Sequence, residues 1–317
     1  MGNLAYLRPQ YARALAAYIK ERGGLPFLTD CNTLYVGSRK NALEHIETAY
    51  INGYTPYATG CQVIIADGVR GTDEAYIPIG CEEVKTAKIG RAIADADIII
   101  SLNHFKGHED AGFGGALKNL GMGSGSRAGK MEMHYDGKPV VDRDRCRGCR
   151  KCATICANDG IHYENSKAVI DHDNCVGCGR CIAICSFDAI KPHNSSSEAS
   201  LNRRIAEYAY AVVKDKPNFH ISIAADISPN CDCHPENDAP IVPNIGMFAS
   251  FDPVAIDLAA ADAVNAMPAN PRSALSEAEC RCHDPFINVH PNTNWRVQIE
   301  HGEEIGLGSS EYELIRI

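Results

Sequence analysis

The run Cys146-Arg147-Gly148-Cys149-Arg150-Lys151-Cys152-Ala153-Thr154-Ile155-Cys156 returns 29 residues later as Cys175-Val176-Gly177-Cys178-Gly179-Arg180-Cys181-Ile182-Ala183-Ile184-Cys185, with every cysteine in register. The match continues through Asn158-Asp159-Gly160-Ile161 and Phe187-Asp188-Ala189-Ile190, so the duplicated unit is a loop, a helical turn and a short strand. Three thiolates separated by two residues each can wrap a tight loop around one metal centre, with backbone amides turned toward its sulfurs. A fourth ligand must then come from elsewhere. Eight cysteines with no histidine among them favour iron-sulfur clusters over paired zinc knuckles.

Residues 141–193 resemble a bacterial two-cluster ferredoxin, with Ala157 and Ser186 standing where proline usually follows the fourth cysteine. In such ferredoxins the fourth cysteine of each run ligates the other cluster. The resemblance therefore implies one 4Fe-4S cluster on Cys146, Cys149, Cys152 and Cys185, and a second on Cys175, Cys178, Cys181 and Cys156. The first loop is also basic, with Arg143, Arg145, Arg147, Arg150 and Lys151 against the single acid Asp144. It reads either as a solvated face or as a docking face for an acidic electron carrier such as a ferredoxin or flavodoxin.

The rest of the composition sets the frame. A chain of 317 residues predicts about two domains, and 45% apolar content excludes disorder. The net charge of −9 leaves no basic excess to neutralise nucleic-acid phosphates or to hold an anionic membrane surface. Charges interrupt the first 24 residues, and no apolar run is long enough to span a bilayer. A cytoplasmic protein is expected, in which 15 cysteines are metal ligands before they are disulfides.

The flanks read as one interrupted α/β domain. Helices are expected at Pro9–Arg22, Asn41–Asn52, Lys88–Ala94, Leu201–Lys214 and Pro253–Val264, and strands at Leu25–Thr29, Gln62–Ala66, Asp97–Leu102 and Phe219–Ala225. This alternation predicts a largely parallel sheet with flanking helices, formed by residues 1–140 and 194–317. An α+β ferredoxin-like domain at 141–193 interrupts it, bounded by the polar linker Asn194–Ser197. Ligands of open α/β sheets bind beyond the carboxyl ends of the strands. Asp30 (with Cys31 beside it), His104, Lys106, His108 and Asp226 occupy such ends and are expected to line one crevice. The following glycine-rich loop, with Gly114, Gly121, Gly123 and Lys118, lets backbone amides and a lysine approach an anion, or else is a plain connector.

Cys231-Asp232-Cys233-His234 and Cys280-Arg281-Cys282-His283 form a second, shorter repeat. Cys231, Cys233, His234, Cys280, Cys282 and His283 could share a zinc or redox-metal site, or match by coincidence.

Taken together, Thr29-Asp30-Cys31-Asn32-Thr33-Leu34-Tyr35-Val36-Gly37-Ser38-Arg39, the loop from His104 to Met122, Asp226 with Cys231-Asp232-Cys233, and Asn244-Ile245-Gly246 through Ser250-Phe251-Asp252-Pro253-Val254-Ala255-Ile256-Asp257 resemble the iron-sulfur centre proteins of the domain of unknown function 362 family. The resemblance covers almost the whole chain and implies an α/β domain carrying an inserted ferredoxin. It also sets Gly2–Pro9 against an internal segment of the family, so a first strand would precede it. Two functions are compatible with the residues. One is a ferredoxin-linked oxidoreductase, passing single electrons between two 4Fe-4S clusters and an anionic small-molecule ligand held by Asp30, His104, Lys106, His108, Lys118 and Asp226. The other is a non-catalytic redox partner or cluster carrier that docks to a larger complex.

Overall fold

Local sequence chemistry places the main helices. Pro9 opens the helix Pro9–Glu21, Asn41 starts Ala42–Ile51 by accepting the Glu44 amide, and Asp252 starts Pro253–Asn265 by accepting the amides of Val254 and Ala255. The computed structural model describes all residues except 1–4, 35–36, 136–137, 176, 193–197, 235–236 and 280–281, so the expected linker Asn194–Ser197 lies outside the described residues.

The chain is a mixed α/β protein of small sheets and helices. Strand Asn218–Ala224 runs parallel to Ile99–His104 on one side and antiparallel to Gly246–Ser250 on the other. A second parallel pair, Phe27–Asp30 with Gln62–Ile65, lies apart from it. Residues Gly24–Asp30 and Asp95–Leu102 face each other across a cleft of about 880 Å³. Parallel pairing is confined to these two pairs among the described residues, and the other ladders are antiparallel hairpins and the Pro139–Val141/Ile190–Pro192 pair.

One expected helix is replaced in part by a strand. Residues Thr86–Gly90 pair with Glu74–Pro78, and only Arg91–Ala94 is helical. Ala87 and Ile89 are buried while Thr86 before them and Lys88 between them are less so, a period of two that short apolar runs share with helices until a partner strand is present.

The helix Glu198–Val213 is the spine of the main core. Its Leu201, Ile205, Tyr208, Ala209 and Val212 recur at helical spacing and are buried. Under the strand-end loop, Phe105, Phe113, Phe286 and Trp295 pack with ring centroids 4.9–5.8 Å apart. Phe105 and Phe113 thereby anchor the hairpin Lys106–His108/Gly112–Gly114 from below.

Residues 139–192 repeat their fold as well as their sequence. Helices Lys151–Ile155 and Arg180–Ile184 each follow a left-handed residue, Arg150 at φ 65° and Gly179 at φ 66°, and each ends at an extended cysteine, Cys156 or Cys185. The strands Ile161–Glu164 and Lys167–Ile170 form a hairpin between them. This segment has its own core of Cys146, Cys152, Ala168, Cys181, Ile182, Cys185, Ala189 and Ile190, joined by Leu34 and Met131 from the flanks. No helix among the described residues is long and apolar enough to cross a membrane.

Candidate functional site

The two cysteine runs interlock. Cys146, Cys149 and Cys152 line one cavity, and the fourth thiol in its wall is Cys185, from the other run. The amides of Ala168 and Ala189 donate to the sulfurs of Cys146 and Cys185 at 3.4 and 3.3 Å, and the Tyr163 hydroxyl lies 3.1 Å from Cys152 Sγ. In the other direction, Cys156 lies near enough to Cys175 to disfavour its thiolate, after burial and the neighbouring Cys178. Burial, then Cys178, Cys175 and Cys152, pushes the Cys181 thiol up. A set of four thiols with amide donors directed at the sulfurs fits a thiolate-bound metal centre, whose binding would release the thiol protons. Of the basic loop, Arg143 pairs with Glu164 and Arg145 with Asp142, while Arg147 and Lys151 are exposed.

The strand-end residues divide into three places. Asp30 faces the large cleft, where its carboxylate accepts the Cys31 amide at 2.8 Å and lies 3.9 Å from both Arg39 and His45. The neighbouring Cys31 is buried and donates to the Ser124 carbonyl at 3.3 Å; burial raises its pKa. Asp226 is on the surface, paired with Arg8. His104, Lys106, His108 and Lys118 converge elsewhere, with Cys231, Asp232, Cys233 and Asp257. Asp30 and His104 end strands of separate sheets, and the six candidates lie in these three places.

Within the convergent group His104, His108 and Asp257 are held by hydrogen bonds. His104 Nδ1 lies 2.8 Å from Asp232 and Nε2 2.9 Å from the Ala225 carbonyl, so the ring positions Asp232 and offers no free nitrogen. His108 Nδ1 accepts the amides of Asp110 and Ala111, both at 3.1 Å, which places the ring proton on Nε2, facing Cys231. Burial opposes the charge on Lys106, but Asp232, Cys231, Cys233 and Asp257 outweigh it and raise its pKa. Burial pushes Asp257 up to about 7, although it accepts the amides of Ala116 and Leu117 at 2.7 and 2.9 Å. His134 joins the group from the helix Arg127–Tyr135; burial, then Lys118, His108 and Lys130, lowers it to about 3.

The glycines have different roles. A Cβ on Gly114 would meet Lys106 Nζ at 2.9 Å and Lys118 Cδ at 3.3 Å, so its absence makes room for both lysines. Gly121 is a packing glycine, since a Cβ there would sit 2.2 Å from the Ile205 carbonyl oxygen. The Gly123 carbonyl accepts the Cys31 amide and Lys130 Nζ, on the cleft side of the turn.

Among the described residues, no group of metal-ligand types draws on both Cys-x-Cys-His motifs. Cys282 turns to the Asp284 carbonyl and Asn288 Oδ1, and Cys280 lies outside the described residues. Two groups of ligand types do meet, Glu109 with Cys233 and His234, and Glu109 with His108 and Asp110; His234 Nε2 is already bonded to Glu109 at 2.8 Å. His283 joins no such group among the described residues. Asp257 and His134 were missed by sequence reasoning. The signal for Asp257 is its place as one of two acids, with Asp262, inside the otherwise mostly apolar helix Pro253–Asn265.

The sequence model of the family described as Domain of unknown function (DUF362) matches residues 1–262, and the chain belongs to that family. No curated protein and no solved structure matches the chain.

Proposed function

We propose that this member of the DUF362 family is an iron-sulfur electron-transfer protein, in which residues 141–193 form an inserted ferredoxin-type domain within an α/β domain of residues 1–140 and 194–317. Cys146, Cys149, Cys152 and Cys185 hold one 4Fe-4S cluster, and Cys175, Cys178, Cys181 and Cys156 the other. When bound, such clusters supply reversible one-electron transfer. The observation that carries this reading is the cavity whose four thiols come from both runs, in the crossed pattern of two-cluster ferredoxins.

The group of Lys106, Lys118, His108 and Cys231 is the natural destination of the electrons. Arg127 and Met131, on the helix that carries His134, meet Gly179 of the second run: a Cβ on Gly179 would lie 2.7 Å from Arg127 and 3.7 Å from Met131. That one helix joins the cysteine runs to the polar site. Two lysines make the ligand an anion, and the assembly a ferredoxin-linked oxidoreductase. The exposed Arg147 and Lys151 suit an acidic electron carrier as partner.

Anaerobic purification followed by iron and sulfide analysis and paramagnetic resonance tests the reading. About eight iron atoms per chain and reducible clusters are expected. Zinc in place of iron would overturn it. Rapid transfer of intact clusters to an acceptor protein, undiminished in Lys118→Ala, would favour the cluster-carrier function instead.

A further inference from the structure

We propose that Cys231 and Cys233 form a redox-active dithiol that exchanges electrons with an anionic disulfide held by Lys106 and Lys118. The inference deepens the reading of this site as one for an anionic ligand and rests on it.

The backbone brings the pair together. His234 N donates to the Cys231 carbonyl at 3.0 Å, closing a turn with the two cysteines at its first and third positions. Asp232 between them is clamped by His104 through both carboxylate oxygens, at 2.8 and 3.0 Å. His234 ties the far end of the turn to Glu109. Cys233 is exposed and Cys231 half-buried, so a ligand reaches the pair from outside.

Charge selects the ligand. Lys106 is only 6% exposed, and its ammonium makes no hydrogen bond or ion pair with another described residue. Lys118 has none either. Two ammonium groups with no hydrogen bond or ion pair among the described residues, beside a pair of thiols, oppose a metal cation and favour a bound carboxylate. His108, whose Nδ1 is taken by the amides of Asp110 and Ala111, turns its Nε2 proton toward Cys231, and Lys118 lies beside the same sulfur. Cys231 is thus the attacking sulfur and Cys233 the resolving one.

The exchange balances without another reactant. Cys231 thiolate attacks one sulfur of the ligand disulfide, forming a mixed disulfide and expelling one thiolate. Cys233 gives its proton to that leaving group, and its sulfur attacks Cys231 Sγ, releasing the second thiolate. One disulfide bond breaks, one forms, and two electrons pass from the dithiol to the ligand; the reverse regenerates it.

The test uses the anaerobic holoprotein with glutathione disulfide, a polyanion, and with cystamine, a cation, followed by acid quench, alkylation and peptide mass analysis. With glutathione disulfide the peptide holding Cys231 and Cys233 is expected to escape alkylation and to weigh about 2 Da less than the dithiol. Cys233→Ser should trap glutathione on Cys231. Cys231→Ser should trap none. Cystamine should react about tenfold more slowly than glutathione disulfide, and Lys118→Ala should narrow the difference. The proposal is overturned if both cysteines stay alkylatable in the wild type and no adduct forms in Cys233→Ser, if cystamine reacts as fast, or if a stoichiometric metal on the pair must be chelated before either thiol reacts. Cluster content is read separately as iron, so failure of the electron-transfer reading and failure of the dithiol are distinguishable.

Discussion

Cys185 lines the same cavity as Cys146, although the two belong to different copies of the repeat. The four thiols of that cavity thus come from both copies. Tyr163 places its hydroxyl 3.1 Å from Cys152 Sγ. A donor to a cluster-ligand sulfur favours the reduced, more negative state. Tyr163→Phe is expected to lower the potential of one centre by about 40 mV, the one-electron equivalent of a hydrogen bond of about 1 kcal/mol, and to leave the other unchanged. Redox titration followed by paramagnetic resonance reads both, and equal shifts in the two centres would contradict the assignment.

Arg147 and Lys151 project from the first cysteine loop into solvent. If an acidic carrier docks there, the rate of electron transfer from a reduced ferredoxin falls as salt rises from low to physiological strength, and Arg147→Glu lowers it about tenfold at low salt. Stopped-flow rates insensitive to both salt and substitution would assign this loop to a solvated face.

Gly121 and Gly123 differ in the room their missing Cβ leaves. A methyl group on Gly121 would collide with the Ile205 carbonyl, whereas one on Gly123 meets only Asp30 Oδ1, at 3.8 Å. Gly121→Ala should destabilise the fold by about 1–3 kcal/mol in denaturant unfolding, and Gly123→Ala by far less. Equal stability of the two variants would refute the close approach of the turn to the helix Glu198–Val213.

Acid should loosen the fold through three histidines. Burial lowers His45 and His220 to about 4, and burial with nearby lysines lowers His134 to about 3. Each folded value lies below the unfolded one near 6.5, so the native state binds fewer protons over that interval. Their contribution is complete above pH of about 6.5 and is lost as pH falls toward the folded values, by up to about 2 kcal/mol per histidine at pH of about 5. Denaturant midpoints at the two pH values, at constant iron content, check this; a midpoint that does not fall contradicts it.

The parts of the fold visible in the sequence are those fixed by local rules. The helices Pro9–Glu21, Ala42–Ile51 and Pro253–Asn265 carry their own caps or first-turn prolines, and the cysteine repeat carries its spacing. Lys88–Gly90 reads as the start of a helix in the sequence because the alternation along Thr86–Gly90 acquires meaning only with Glu74–Pro78 beside it. The candidate site shows the same boundary. Lys106, His108 and Lys118 stood out as charges in a strand-end loop, but the distance between them and Asp30 depends on which strands share a sheet. Asp257 enters from a helix more than a hundred residues downstream, and only tertiary packing sets it on the amides of Ala116 and Leu117.

The central claim is that the two runs exchange their fourth ligands around two 4Fe-4S clusters. Its most direct measurement is iron content and low-temperature paramagnetic resonance of the reduced protein, comparing the wild type with Cys185→Ser and Cys156→Ser. The wild type should hold about eight iron atoms and show two interacting centres. Cys185→Ser should alter the centre that also responds to Tyr163→Phe, and Cys156→Ser the other. If Cys185→Ser instead disturbs only the centre bound by Cys175, Cys178 and Cys181, or if the wild type binds zinc and gives no signal, the account is wrong.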